Sequence, residues 1–351
     1  SVVRSTFLAT LQRDSARSGN EAPAARLRPL PTAYHRSMDI YEPTCAPLPF
    51  PAPLREGLIL ARPNRFIMEV TFPTGEGGSP PAGRASAVAA TDAPLGSSAA
   101  GAPSLAADSR KPMPVPAKGA LSPSPAPGGS VLSAGTSVVR CHCPAVSRIG
   151  GLDLTGRPCL VSDSGNPKRK LPLTVEAFSL DEPDAPQKRW IGINQNASNR
   201  SVEYFLRIGA LDAIAGQPRE VRREVPLGAS RLDFLVDDRL YLEVKTPLVQ
   251  IQTAVPASVP RLPEAPFSST ERALRHLREL AASLADHERA VVLYCLYYAN
   301  DGFRFYHGTT YDEVLATVDA CRAAGVELWQ ADFEVTPRAV ALRRYFPLEE
   351  W

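Results

Sequence analysis

Asp233, Glu243 and Lys245 are the residues of this chain whose types and spacing could do chemistry. They lie in Arg231-Leu232-Asp233-Phe234-Leu235-Val236, then Asp237-Asp238-Arg239, then Leu240-Tyr241-Leu242-Glu243-Val244-Lys245. A three-residue turn at 237–239 would pair Val236 with Leu240, Phe234 with Leu242 and Leu232 with Val244, one face made of six apolar residues. The other face would pair Asp233 with Glu243, Arg231 with Lys245 and Leu235 with Tyr241. Side chains alternate along a strand, so the two carboxylates and the lysine project together. Opposed Cβ atoms on paired strands are only ~5 Å apart. Two carboxylates that close repel when both ionise in a poorly solvated place. A divalent cation relieves this, and Mg²⁺ takes one or two carboxylates plus phosphate oxygens. A nearby lysine can polarise an attacking water or stabilise phosphate charge. Metal-dependent phosphodiester hydrolysis needs this arrangement, with Mg²⁺ or Mn²⁺ as the cofactor. An amphipathic hairpin with one wet, charged face has the same spacing, so the pattern alone leaves both readings open.

The surrounding elements must hold that hairpin. Ser198 or Asn199 can cap a helix with the apolar stripe Val202, Phe205, Leu206 and Ala210, ended by Gly216 and Pro218. Strands are expected at 220–225, 231–236 and 240–245. A helix follows from Ser268, with Ser268 and Glu271 in capping-box spacing and Leu274, Leu277, Leu280, Ala281 and Leu284 as its stripe. Then come a strand at 290–298, a helix at 311–323 stopped by Gly325, and a strand at 326–335. Thr336 as N-cap and Pro337 at N1 are expected to open a last helix. Strands interleaved with helices predict an α/β domain over 195–351.

Upstream, the pattern is different. Residues 1–53 are Pro-rich without sustained periodicity and are expected to form a mostly disordered tail. From Leu54, alternating Leu58, Leu60, Phe66, Met68, Val70 and Phe72 predict strands, broken at Pro63. Of the 60 residues at 76–135, 44 are Ala, Gly, Pro or Ser and none is aromatic. Such a segment cannot bury enough apolar surface to offset its ordering entropy, so a long disordered insertion is expected. Strand signals resume at 137–142, 159–162, 173–178 and 190–193. Short strands with regular turns predict a small β-barrel over 54–194, the insertion emerging between its first two strands.

The net charge of +2 excludes nothing as a total, but local basic clusters stand out: Lys168-Arg169-Lys170, Lys188-Arg189, and Arg219 with Arg222-Arg223. Loop clusters of this kind can neutralise phosphates, and each is equally a solvated surface. Pro167–Lys170 also matches a nuclear import pattern. Six cysteines in 351 residues do not make a disulfide scaffold, and Cys295 lies inside an apolar run as a core thiol. No stretch is long and apolar enough to cross a bilayer, so the expected setting is intracellular and reducing, without membrane contact. The sequons at Asn196 and Asn199 then carry no meaning. The Arg- and Ser-rich first 30 residues fit an organelle transit peptide or a disordered tail equally. Cytoplasm, organelle and nucleus all stay open. Cys141-His142-Cys143 lacks a second ligand cluster and reads as strand packing rather than zinc. His276 shares a helix face with Arg272 and Glu279, where it can approach the hairpin or sit at the core edge. Phe66, Phe72, Trp190 and Tyr204 could stack bases, although strand aromatics are usually core.

The words around the hairpin are more specific than its spacing. Asp-x9-Glu-x-Lys resembles the PD-(D/E)xK nuclease motif. Ser230–Phe234 and Tyr241–Lys245 resemble the signature of the sugar fermentation stimulation protein family, and Thr270–Leu280 resembles the helix that follows it. Asn166–Lys170 with Thr174 and Glu176, Arg62, Arg65-Phe66 and His142-Cys143-Pro144 are similar to its N-terminal pattern. Helix Asn199–Leu206 resembles its Asn…Glu helix, with Glu203 as the acidic member. The likeness spans 54–75 and 136–348. After His142-Cys143-Pro144 the family usually continues Asn-Thr-Gly, where this chain has Ala145-Val146-Ser147. Ala273 replaces a usual Gly and Arg275 a usual Lys.

The resemblance implies two domains, an OB-like β-barrel followed by a restriction-endonuclease-like α/β domain. It also implies sequence-nonspecific DNA binding. Asp233 and Glu243 would hold the metal, with Lys245 and Glu203 completing the catalytic set. Arg62, Arg65, Lys168, Arg169, Lys170, Arg231, Arg272 and Arg275 would contact nucleic acid. A non-catalytic DNA-binding regulator, as in sugar-metabolism control in bacterial relatives, is the rival reading. RNA processing is a third, since OB-like folds bind both nucleic acids. Oligomeric state is open, a homodimer included.

Overall fold

In the computed structural model, residues 39–73, 137–145, 148–263 and 270–349 are described. The expected insertion at 76–135, the first 38 residues and Ser268 lie outside them.

The stretch ahead of Leu54 is not a tail where it is described. Leu48–Pro49 forms β1, antiparallel to the last strand of the chain. Tyr41 exchanges backbone N–H and C=O with Tyr345, both at 2.9 Å, and the two rings stack at 5.0 Å. Pro49, lacking an N–H, is tolerated because β1 is an edge strand. Truncation to Leu54 should uncover Trp329 and Tyr345, which pack against Tyr41. Losing a half-buried aromatic costs about 2 kcal/mol, so thermal denaturation should show a midpoint several degrees lower.

The next five strands close a barrel: β2 (Arg55–Asn64), β3 (Ile67–Thr71), β4 (Val138–His142), β5 (Pro158–Asp163) and β6 (Leu173–Ser179). β2 pairs with β3 and β5, β3 with β4, and β5 with β6; His142 beside Thr174 in parallel closes β4 on β6. This is an OB-like barrel, and β7 (Trp190–Gly192) extends β6. Residues 76–135 fall between its second and third strands, β3 and β4, not between its first two, because the turn at Arg65-Phe66 already splits 55–71 into a hairpin. Ile59, Met68, Val70, Cys141, Cys159, Val161 and Val175 fill it. The expected phase of β2 is off by one: Gly57 and Ile59 face inward, whereas Leu58 and Leu60 are half-buried. Gly57 hides the true alternation because the space is taken: a Cβ there would lie 2.7 Å from Val70 Cγ1. Phe66 sits in the β2–β3 turn, 45% exposed.

The remainder is an α/β lobe. Its elements are α1 (Gln195–Arg207), α2 (Asp212–Ala215), β8 (Val221–Leu227), β9 (Ser230–Val236), β10 (Leu240–Lys245), α3 (Glu271–Ser283), β11 (Arg289–Leu296), α4 (Tyr311–Ala323), β12 (Glu327–Val335) and β13 (Ala339–Pro347). The sheet order is β1-β13-β12-β11-β10-β9-β8, with β10, β11 and β12 parallel and the rest antiparallel. β11 is buried on both faces, as a central parallel strand must be. α1 sends Val202, Phe205 and Leu206 into one core; α3 and α4 send Leu274, Leu277, Leu280, Val318 and Cys321 into the other. Gly325 stops α4 as expected: at φ 105 it lets its own N–H reach Arg322 O and that of Val326 reach Cys321 O, a Schellman closure.

Three expected boundaries move. Asn194, not Ser198 or Asn199, caps α1, its side chain accepting from Ala197 N. α3 starts after Thr270. The expected last helix is strand β13, because Thr336 and Pro337 turn the chain back along β12.

Candidate functional site

Beyond Phe234↔Leu242 the β9–β10 hairpin stops pairing. On its other side, β9 pairs with β8 at Phe234 and Leu232 but skips Asp233 opposite Glu224, which has φ 50. Asp233 therefore sits where the ladder is open on both sides. The expected turn at 237–239 is present, with Asp237 and Asp238 at φ 49 and 56 and Arg239 N reaching Val236 O. The expected pairs Asp233–Glu243, Arg231–Lys245 and Leu232–Val244 do not form as backbone pairs, and Leu232 joins the α3-side core.

Side chains replace the missing ladder. Asp233 Oδ2 accepts from Val244 N at 2.8 Å, and Glu243 Oε2 accepts from Asp233 N at 3.4 Å. Buried strand N–H groups need such partners, so folding itself draws the two carboxylates together. Asn199 of α1 donates to Asp233 Oδ1 at 2.6 Å. Gln195 and Ser198 tie the same helix to Thr246, just past β10. From α3, His276 Nδ1 lies 2.5 Å from Glu243 Oε1, which also accepts from Lys245 Nζ at 2.5 Å. Glu243 is 3% and His276 5% exposed.

Burial pushes Asp233 up, the Glu243 charge adds to this, and the Val244 N–H, Asn199 and Lys245 only partly oppose it, leaving a pKa of about 6. Burial also pushes Glu243 up, but the hydrogen bond from His276 and the charge and hydrogen bond of Lys245 outweigh it, so its pKa is lowered. The ionised carboxylate only accepts, so His276 Nδ1 carries the proton it donates.

The donor set suits a hard divalent cation. Two carboxylates, each with lone pairs left, suit an ion that keeps most of its water. No group of three or more His, Cys, Asp or Glu that could hold a metal forms among the described residues, so a closed four-ligand zinc site does not fit. Cys141 and Cys143 are barrel core instead.

The sugar fermentation stimulation protein RE domain matches residues 196–339. A sugar fermentation stimulation protein homolog of Synechococcus elongatus is 35% identical over 218 residues, 60% of this chain and 85% of the relative. One of Methylobacterium radiotolerans is 33% identical over 223 residues, covering 60% and 86%. The chain belongs to the sugar fermentation stimulation protein family. The solved structure of Pyrococcus furiosus SfsA in complex with Ca²⁺ shares the fold, with TM-score 0.54 at 15% identity, covering 86% of this chain and 98% of that one. The matched RE domain of this family member runs from the second residue of α1 to the first of β13. It holds Asn199, Asp233, Glu243, Lys245 and His276.

Other expected site residues of this family member are dispersed. Glu203, one turn beyond Asn199, has its oxygens taken by Arg207 at 2.8 Å and Arg223 at 3.1 Å; Asn199 is the α1 residue that touches Asp233. Arg231 is exposed and donates to Glu224 O. Arg272 and Arg275 are exposed on α3, away from its buried stripe. Arg62 and Arg65 lie in β2 and the β2–β3 turn, and Lys168–Lys170 in the β5–β6 loop, all on the barrel. Lys188, Arg189 and Arg222 are paired with Glu56, Asp181 and Asp238, so those clusters are locally neutralised. His276 could have been placed from its spacing: Leu280 and Ser283, four and seven residues on, are buried on the same face. Among the described residues, no helix is long and apolar enough to cross a membrane.

The raised pKa of Asp233 has a stability consequence. The metal-free native state binds this proton more tightly than the unfolded chain, so stability should fall as pH rises from about 4 to about 6, then level off. The shift from 3.8 to about 6 is worth at most about 3 kcal/mol. Glu243 contributes the opposite slope, below its ordinary value of 4.5. Denaturation midpoints in chelator should show a flatter limb between about pH 4 and 6 for Asp233→Asn than for the wild type. Parallel curves would mean Asp233 is not perturbed.

Proposed function

We propose that this chain is a Mg²⁺- or Mn²⁺-dependent, sequence-nonspecific DNA nuclease. The observation that carries the reading is the open hairpin at Asp233, which holds two carboxylates and Lys245 together at a break in the sheet. A carboxylate pushed up to a pKa of about 6 by burial, and then by the charge of Glu243, is a place where a cation is electrostatically wanted. The Ca²⁺ bound by the Pyrococcus furiosus relative belongs to the same class of hard, oxygen-seeking ions.

Asp233 and Glu243 would hold the ion, which when bound would neutralise phosphate charge and sharpen the nucleophilicity of water. Asn199 and the Val244 N–H fix the Asp233 carboxylate, and His276 fixes that of Glu243. Lys245, partly exposed, can leave Glu243 Oε1 to hold a non-bridging phosphate oxygen or orient the attacking water. The exposed cations Arg231, Arg272 and Arg275 lie on β9 and α3, the elements that carry Asp233 and His276, where a phosphate backbone can approach.

The test is Mg²⁺ calorimetry with cleavage assays on linear, nicked and single-stranded DNA and on RNA. Lys245→Ala removes no ligand, so it should keep metal binding and lose on the order of 100-fold or more in cleavage. A wild-type chain that binds no divalent ion and cuts none of these substrates would return the DNA-binding regulator. Cleavage of RNA alone would move the substrate.

A further inference from the structure

The barrel carries a second surface, apart from the hairpin. Phe66 is a large aromatic at 45% exposure in the β2–β3 turn, with the Arg65 guanidinium 4.5 Å from its ring centre. Apolar packing does not account for it. Its turn is held by Asn64 Oδ1 accepting from Phe66 N, and by Arg62 donating to Arg65 O and Ala145 O.

The neighbouring β5–β6 loop presents Lys168, Arg169 and Lys170, all exposed and without an ion pair among the described residues. This loop is preorganised: Asp163 and Asn166 side chains accept from Gly165 N and Lys168 N, and Ser164 N reaches Pro172 O. The two loops belong to one end of the barrel. Cys143 N donates to Phe66 O, His142 lies beside Thr174 across the barrel closure, and burial followed by the Arg169 charge lowers the pKa of His142.

We propose that this end of the barrel is a docking surface for single-stranded DNA, on which Phe66 and Arg65 stack unpaired bases while Lys168–Lys170 track the phosphates. The inference rests on the nucleic-acid reading above and narrows it. An exposed ring at the same end of the barrel as a run of exposed cations offers a π-face and a charge rail together. A duplex keeps its bases stacked on one another, so it can use the rail and not the ring. The surface therefore discriminates in favour of single strands or single-stranded arms.

The experiment is fluorescence anisotropy of full-length protein in chelator, so that no cleavage intervenes, with oligo-dT, oligo-rU and a duplex of equal length. Phe66→Ala should weaken oligo-dT binding roughly ten-fold and leave the duplex within about two-fold, as expected of one lost stacking contact that the duplex never makes. Phe66→Tyr should restore it. Replacing Lys168, Arg169 and Lys170 together by Ala should weaken both and flatten the salt slope for oligo-dT by roughly two units.

Unchanged oligo-dT binding by Phe66→Ala, or an equal loss for duplex, overturns the proposal. So does tighter binding of oligo-rU than oligo-dT, or Phe66-dependent binding of phosphatidylserine vesicles with none of oligonucleotide. A chain that fails to cleave yet shows these Phe66 effects refutes the nuclease reading alone.

Discussion

Glu243→Ala should abolish both metal binding and cleavage while leaving a folded protein. Glu243 Oε1 and Oε2 are the meeting point of Lys245, His276 and the Asp233 N–H. Without the carboxylate the ion loses a first ligand, and the several kcal/mol of charge stabilisation it would supply translate to about a thousand-fold or more in rate. Asp233→Ala should match it in activity but not in stability. It removes the acceptor for Val244 N and Asn199 yet also removes the charge that burial and Glu243 penalise, so the two effects offset. Glu243→Ala leaves Lys245 and His276 without their acceptor and should cost more, about 1–3 kcal/mol. Mg²⁺ titration calorimetry, cleavage assays and denaturant unfolding of both variants check this. Equal Mg²⁺ heats in wild type and Glu243→Ala would remove Glu243 from the metal site.

The second large effect is expected at His276, which the sequence left between site and core edge. His276→Ala deletes the 2.5 Å partner of Glu243 Oε1 from a nearly closed environment. Outer partners of metal-holding carboxylates typically matter by about 10–100-fold in affinity or activity, so Mg²⁺ affinity should fall by that order. His276→Gln keeps a donor of similar reach and should recover much of the loss. If Ala and Gln variants bind Mg²⁺ like wild type, the contact is packing alone. Affinity is the useful readout here, since a purely structural histidine would lower the unfolding midpoint without changing metal affinity in the folded fraction.

The site was legible where chemistry and local geometry coincide. Asp233, Glu243 and Lys245 stand out because strand alternation and a short turn bring them to one face, and folding retains that turn and the pairs Val236–Leu240 and Phe234–Leu242. What alternation could not show is that the ladder opens beyond them. That opening depends on Glu224 in the neighbouring strand adopting φ 50, and on α1 and α3 reaching in with Asn199 and His276. Glu203 shows the limit of transferring a role along a helix. The residue is on the right helix, but Arg207 and Arg223 claim its carboxylate, and no single-chain pattern marks Arg223 of β8 as its neighbour.

By itself the sequence determined the family, the order of barrel and α/β lobe, and most strands and helices, because apolar periodicity and turn residues act over a few neighbours. Tertiary structure decided what local chemistry leaves degenerate. Thr336 Oγ1 accepts from Arg338 N and Ala339 N, bonds like those an N-cap makes to a helix's first turn. The same bonds start a helix or a hairpin, and the open edge of β12 selects the hairpin by pairing with 339–347. That new strand in turn gives Leu48–Pro49 an edge to join, turning an apparently patternless segment into β1. Segments whose conformation is set by a distant partner's unpaired backbone carry no periodic signal of their own, and only the folded sheet supplies it.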